Sequence, residues 1–249
     1  MNFVRNVFTD AGTVARQAAD AIVNLAQQRV KAGGRFSVAL AGGSTPRAAY
    51  TLLSVSPLIQ KMPWEQTKIY FGDERLVPHT HADSNYRMAY DALLKAIPPA
   101  IENVFPIPTD NDDVSLCAEF YEDLLRVHFQ RRTDNLPGFD LILLGIGADG
   151  HTASLFPGTP AASETQKWVT WCDPASTNPN IKPAVKRITI TAPVIWNAAN
   201  VIVMATGAEK AAPLAKVFSE NEPADPPIAR LLRKCKGQVT FFMDREAGG

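Results

Sequence analysis

The sequence has no surplus of either charge: 25 Lys and Arg residues stand against 25 Asp and Glu. Nucleic acid or an anionic membrane surface is held by a field of one sign, and with no local basic cluster either, neither partner is expected. Cysteine is scarce. Cys117, Cys172 and Cys235 are the only three; their odd number argues against a disulfide framework and their wide spacing against paired metal ligands, so they read as buried thiols of a cytoplasmic protein. No window approaches the roughly 18 continuous apolar residues of a membrane span. Asp10 and Asp20 interrupt the N-terminal stretch where a signal peptide needs an unbroken apolar run. Internal repeats, low-complexity tracts and a clear linker are also missing, and residues 1–249 are expected to form one domain.

What is present is ordinary globular composition, 46% hydrophobic and 20% charged, with strands and helices in alternation. Val14, Ala18, Ala21, Ile22 and Leu25 are spaced for a helix over 11–31, with Asp10 or Thr9 as its N-cap. Short apolar runs predict strands at 36–40, 68–71, 140–144, 168–172, 187–191, 201–206 and 239–243. Helices are expected after Pro46 and over 86–96, 115–131, 210–218 and 227–233, the third with Leu116, Phe120, Leu124, Leu125 and Val127 toward the core. Residues 174–183 and 222–227 have the composition of surface loops. The alternation predicts an open, Rossmann-like α/β fold, a mostly parallel sheet flanked by helices on both faces.

In such a sheet ligands bind outside the carboxyl ends of the strands, which directs attention to four strings: Gly42-Gly43-Ser44-Thr45, Asp73-Glu74-Arg75, Asp149-Gly150-His151 and Gly207-Ala208-Glu209-Lys210. In the first, Pro46 suits the opening turn of a helix. Backbone amides at that start, with the Ser44 and Thr45 hydroxyls, suit a phosphate; the same string also fits a tight turn and a capped helix with no ligand. Arg75 and Lys210 would add positive charge at the same sheet edge. Lys210 falls early in its helix, where the macrodipole disfavours a cation unless an anion is near. Taken singly, either is equally a surface cation, and Arg75 could instead pair with Asp73 or Glu74. His151, two positions after Asp149 on a glycine-bracketed loop, can serve as a general base oriented by a carboxylate, although a lone histidine is more often structural.

Rival motifs are weaker. Gly145, Gly147 and Gly150 make a formal GxGxxG with Asp173 about twenty residues on, but Pro157, Gly158 and Pro160 leave little room for the crossover helix of a dinucleotide site. His79 and His81, with Asp73 or Asp83, could bind a metal at alternate strand positions, yet they stand in a polar loop without an HExxH-like companion. No Walker A loop and no GxSxG nucleophile elbow occurs.

The strings AGGSTP (41–46), FGDERLVP (71–78), SNY (84–86), LGIGADGHTASLFPG (144–158) and VMATGAEKA (203–211) together resemble the 6-phosphogluconolactonase family, within the glucosamine-6-phosphate deaminase/6-phosphogluconolactonase superfamily, and they span nearly the whole chain. The resemblance implies hydrolysis of 6-phosphoglucono-δ-lactone to 6-phosphogluconate in the oxidative pentose phosphate pathway, by a cytoplasmic monomer or small homo-oligomer with no metal or organic cofactor. It implies His151 as the base that activates water, with Asp149 to orient it. Gly42, Gly43, Ser44, Thr45, Arg75 and Lys210 would hold the phosphate, with Arg187 a further candidate, while Asp73 would touch substrate or position Arg75. The related deaminases carry a glutamate just before the proline of the Asp-Gly-His loop; here that residue is Phe156. A sugar-phosphate binding module without turnover is the reading from another class, and the intact His151 counts against it.

Overall fold

The computed structural model describes residues 3–97, 102–129, 136–219 and 227–249. The loop expected at 222–227 lies outside them but for Pro227, as do the last two residues of the helix expected over 115–131. Strands β1 (Val4–Phe8), β2 (Phe36–Leu40), β3 (Thr67–Phe71), β5 (Val104–Phe105), β6 (Leu141–Leu144), β9 (Asn200–Ala205) and β10 (Gln238–Asp244) form one sheet in the order β1-β10-β9-β6-β2-β3-β5. Every pairing in it is parallel. The central strands β2 and β6 are buried along their whole length, as the continuous apolar runs at 36–40 and 141–144 require of a sheet covered on both faces. Helices α1 (Ala11–Lys31), α2 (Ser44–Leu53), α3 (Leu58–Lys61), α4 (Asn85–Ala92), α5 (Val114–Phe129), α6 (Ala192–Trp196), α7 (Ala211–Phe218), α8 (Pro227–Leu232) and α9 (Arg245–Gly248) complete the α/β fold. Among the described residues no helix is long and apolar enough to cross a membrane.

Three differences from the expected pattern matter. Asp73, Glu74 and Arg75 are not the start of a loop but strand β4, which pairs antiparallel with β8 (Arg187–Ile190) and, through it, with β7 (Val169–Cys172) in a second, three-stranded sheet. Strand β1 escaped a periodicity reading because it is an edge, with Val4 and Val7 facing outward. Helix α5 meets the expectation at Leu125, which is buried, and at Leu124, which packs partly buried against the core, but the rest of its buried face is Val114, Cys117, Ala118 and Tyr121, while Leu116, Phe120 and Val127 are exposed. The expected and the buried faces are similarly apolar, and the tyrosine decides between them. The Tyr121 hydroxyl accepts from Phe71 N at 2.9 Å and donates to Phe71 O at 3.0 Å, satisfying both backbone groups where β3 ends.

Helix α2 repeats this device. The Tyr50 hydroxyl accepts from Ala41 N and donates to Ala41 O, both at 2.9 Å, just past β2. Both tyrosines are fully buried, and each fixes the backbone one residue before a glycine, Gly42 or Gly72. The sheet order reverses between β2 and β6, since β2 is followed outward by β3 and β6 by β9. Such a switch point opens a crevice at the carboxyl ends of the flanking strands. The segments that open onto it are Gly42–Thr45, the turn after β2 with the first residues of α2, and the loop Gly145–His151 after β6.

Candidate active site

The crevice is a cleft of about 230 Å³, lined by Gly42, Gly43, Ser44, Thr45, Asp73, Arg75, Asn85, His151, Arg187, Thr206 and Lys210 among others. It therefore gathers every candidate singled out in the sequence except Asp149, which stands directly behind His151. Helix α2 starts at the cleft with Gly43 as N-cap and no side-chain cap bond. Its first-turn N–H groups lack intrahelical partners and are left for a ligand. The Thr45 hydroxyl is tied to that of Thr206, 2.8 Å away, which joins the start of α2 to the residue after β9. Lys210 ends a 3-10 turn (Ala208–Lys210) just before α7, and its one ion pair is a loose 3.7 Å contact with Glu209.

On the loop after β6, Gly147 N donates to His151 O at 2.8 Å and Gly150 N to Gly147 O at 2.9 Å. This turn brings Asp149 Oδ1 within 2.5 Å of His151 Nδ1 and 3.1 Å of His151 N. Burial pushes the Asp149 carboxyl up, but its hydrogen bonds and charge attraction to His151 outweigh that and hold it below the usual carboxylate range. An ionised carboxylate accepts only, so the Nδ1 facing it carries a proton, and in the neutral imidazole the lone pair of a general base is then on Nε2. Gly147 is required here by space: a Cβ would fall 2.1 Å from His151 Nδ1 and 2.6 Å from Asp149 Oδ1.

The positive charge comes from the second sheet. Arg75 and Arg187 are register partners across the β4–β8 ladder. Like charges directly opposite each other repel, and Arg187 is only 4% exposed. Burial lowers its pKa; Asp73 opposes that and Arg75 adds to it. The Nε atoms of both arginines are buried without a hydrogen-bond partner. Arg75 is not paired with Asp73 or Glu74. Its Nη1 donates to Asp83 O and Asn85 Oδ1, both at 2.8 Å. Asn85 Nδ2 in turn donates to Asp73 O at 2.9 Å and Asp73 Oδ1 at 3.2 Å, and Ser154 Oγ donates to Asp73 Oδ2 at 2.7 Å. Arg187 Nη2 donates to Pro183 O at 3.4 Å; a half-buried and a buried guanidinium, each with its Nε donor unused, form a ready site for an anion.

Asn85 and Glu74 are the residues the motif reading left unassigned. The Glu74 carboxylate is 1% exposed and accepts from Arg75 N, Ser84 Oγ, Asn85 N and Tyr86 N at 2.6–2.9 Å. Burial raises its pKa and these four bonds work against the rise. It thereby caps α4 from across the fold and sets Asn85 against Gly42, where a Cβ would lie 2.1 Å from Asn85 Oδ1. No local signal in the sequence marks this pair, because Glu74 meets Ser84, Asn85 and Tyr86 only through the return of the chain into α4.

The rival motifs are used differently. His79 Nε2 contacts Ile107 O at 2.8 Å and His81 Nδ1 accepts from Asp83 N at 3.1 Å; among the described residues no group of three or more His, Cys, Asp or Glu could hold a metal. Between β6 and β7 there is a 3-10 turn but no α-helix, and Asp173 accepts from Ala175 N, so the glycines at 145, 147 and 150 do not open a dinucleotide-binding crossover.

Residues 9–241 match the family model described as glucosamine-6-phosphate isomerases/6-phosphogluconolactonase. A 6-phosphogluconolactonase of Synechocystis sp. is 38% identical over 216 residues, covering 86% of this chain and 84% of its own; one of Nostoc sp. is 34% identical over 242 residues, covering 97% and 95%. The structure of 6-phosphogluconolactonase from Trypanosoma cruzi superposes with a TM-score of 0.88 at 35% identity, over 99% of this chain and 96% of that one. A monomeric glucosamine-6-phosphate deaminase shares the fold, with a TM-score of 0.80 at 20% identity and coverage of 98% of both chains.

Proposed function

The chain belongs to the glucosamine-6-phosphate isomerase/6-phosphogluconolactonase family, and within it we propose that the protein hydrolyses 6-phosphoglucono-δ-lactone to 6-phosphogluconate. One observation carries this reading: an ionised aspartate orients a histidine at the edge of a cleft that also holds Arg75 and Arg187, register partners whose Nε donors are unused. A lactone already has an electrophilic carbonyl and an alkoxide leaving group, so one base and a means of holding the substrate suffice. His151 Nε2 takes a proton from water as the water oxygen bonds to the lactone carbonyl carbon. The tetrahedral intermediate then collapses, the bond to the ring oxygen breaks, and the imidazolium returns its proton to that oxygen. Asp149 holds the tautomer. Arg75, Arg187, Lys210, Gly42, Gly43, Ser44 and Thr45 hold the phosphate, and Asp73 acts through Asn85 to fix Arg75. No step calls for a metal or organic cofactor. The continuous buried core supports reading the chain as one α/β domain, and the absence of membrane-length helices among the described residues accords with a cytoplasmic enzyme.

Deamination and isomerisation of glucosamine 6-phosphate need several proton transfers at neighbouring carbons, and Phe156 can take part in none of them. The test is incubation with freshly generated 6-phosphogluconolactone and, separately, with glucosamine 6-phosphate, following acid release above the spontaneous rate and ammonia release. Acid release alone is expected. Ammonia at a comparable rate would make the deaminases the better guide.

A further inference from the structure

Phe156 is 1% exposed and does not line the cleft, yet it touches the residue on which the chemistry turns. Its ring centroid is 4.1 Å from that of His151, with the planes 30° apart. On the same ring, the Arg187 guanidinium carbon stands 5.2 Å from the centroid. The loop that delivers Phe156 is short and internally bonded: Leu155 N donates to Thr152 O at 3.0 Å, and Phe156 O accepts from Thr159 N at 3.2 Å and Thr159 Oγ1 at 2.8 Å.

An imidazole has two torsions to hold. The Asp149 bond anchors one nitrogen, and the missing side chain of Gly147 makes room for the ring, but neither prevents the ring from tilting about the anchored atom. A flat, buried partner against one face does. We propose that Phe156 is a positioning residue for His151: it clamps the imidazole from one face, complementing the edge-on bond from Asp149. The proposal rests on the reading of His151 as the base. An aromatic face also favours a cation over it, so the same contact stabilises the imidazolium formed during proton transfer. The other charged groups around the imidazole are Asp149 on its own loop, Asp73 and Arg75 from β4, Arg187 from β8 and Lys210 after β9, all but Asp149 on the same cleft. Helix α8, which meets the loop at Gly150 O through Ile228 N, brings the exposed Arg230.

The test compares Phe156→Met, which keeps apolar bulk and loses the flat face, with Phe156→Tyr, which keeps the face. Two quantities are read: kcat and KM on 6-phosphogluconolactone, and the titration of the His151 ring nitrogens by NMR in the free protein. Phe156→Met is expected to lower kcat about 10 to 100-fold, the scale of a misplaced catalytic group, with KM changed less than about twofold. Its His151 titration midpoint should fall by about half a pH unit, the size of one cation–π contact. Phe156→Tyr should recover most of both, whatever its melting temperature. Wild-type kcat with an unmoved titration in folded Phe156→Met overturns the proposal, and so does a kcat loss that Phe156→Tyr shares in full, which marks generic packing. If His151→Ala keeps its turnover while Phe156→Met still moves the titration, the base assignment fails and the clamp stands.

Discussion

Two pairs of side chains give the cleft its chemistry, and they are brought together by opposite means. Asp149 and His151 are two positions apart, closed on each other by a tight turn; their side chains are 33% and 26% exposed, open to water and substrate. Arg75 and Arg187 are more than a hundred positions apart, meet only through the β4–β8 register, and are largely withdrawn from solvent with donors unused. The first pair is at rest without a ligand, because each member satisfies the other. The second is not, because Arg187 carries the desolvation cost of burial, which Asp73 offsets and the neighbouring Arg75 charge adds to, and the Nε atoms of both arginines are left without a partner. One region is built for turnover and the other for capture.

The largest effect should separate them outright. His151→Ala is expected to lower kcat by roughly 10² to 10⁴, the usual contribution of a positioned acid–base group, with circular dichroism and melting temperature retained; near-wild-type turnover in the folded variant would remove His151 from the mechanism. Arg75→Ala and Arg187→Met should act on KM instead, raising it about 10 to 100-fold, since hydrogen bonds to a charged group contribute about 1.5–3 kcal/mol each. Neither should matter on glucono-δ-lactone without the phosphate, and equal losses on both substrates would reassign the arginines. Arg187→Met should also leave the free protein no less stable, because it removes the desolvation cost of a buried guanidinium, while reducing the rise in melting temperature produced by inorganic phosphate.

A smaller and sharper contrast uses glycine. Gly147→Ala pushes on His151 and Asp149, and Gly42→Ala on Asn85, which holds Arg75. The first should reduce kcat and the second raise KM, each about tenfold; the reverse assignment would mean that the two regions are not divided as described. The smallest effect is on stability. The folded Asp149 carboxyl lies below its ordinary value of 3.8, so its ionised form stabilises the fold above that pH, and the benefit is lost as pH falls through the depressed folded value. Melting curves of wild type and Asp149→Asn should differ by a few degrees at pH 7 and converge as pH falls through the depressed folded value. A gap that persists in acid would point to packing rather than charge.

Much of this was readable from the residues. The run Leu141–Leu144 announces a buried parallel strand, and the strings after β2 and β6 announce the ligand edge, because both signals are local: apolar periodicity, glycine, and residues two or three positions apart. The α5 face was not readable, since Leu116, Phe120 and Val127 compete with Cys117, Ala118 and Tyr121 on apolarity alone, and only the bond from Tyr121 to Phe71 selects between them. Nor could the neighbours of Glu74 be read, because Ser84, Asn85 and Tyr86 reach it by the return of the chain through α4.

By itself, then, the sequence determined the α/β alternation, the four strand-end strings and the Asp149–His151 couple, all of which depend on contacts within a few residues. Tertiary structure alone decided that Asp73–Arg75 leave the main sheet, that Arg187 meets Arg75, and that Phe156 lies against His151. The physical reason is the same in each case. Strand pairing and ring packing join residues whose separation along the chain carries no information about their separation in space, and the arginine couple exists only because the β4–β8 register sets Arg75 opposite Arg187.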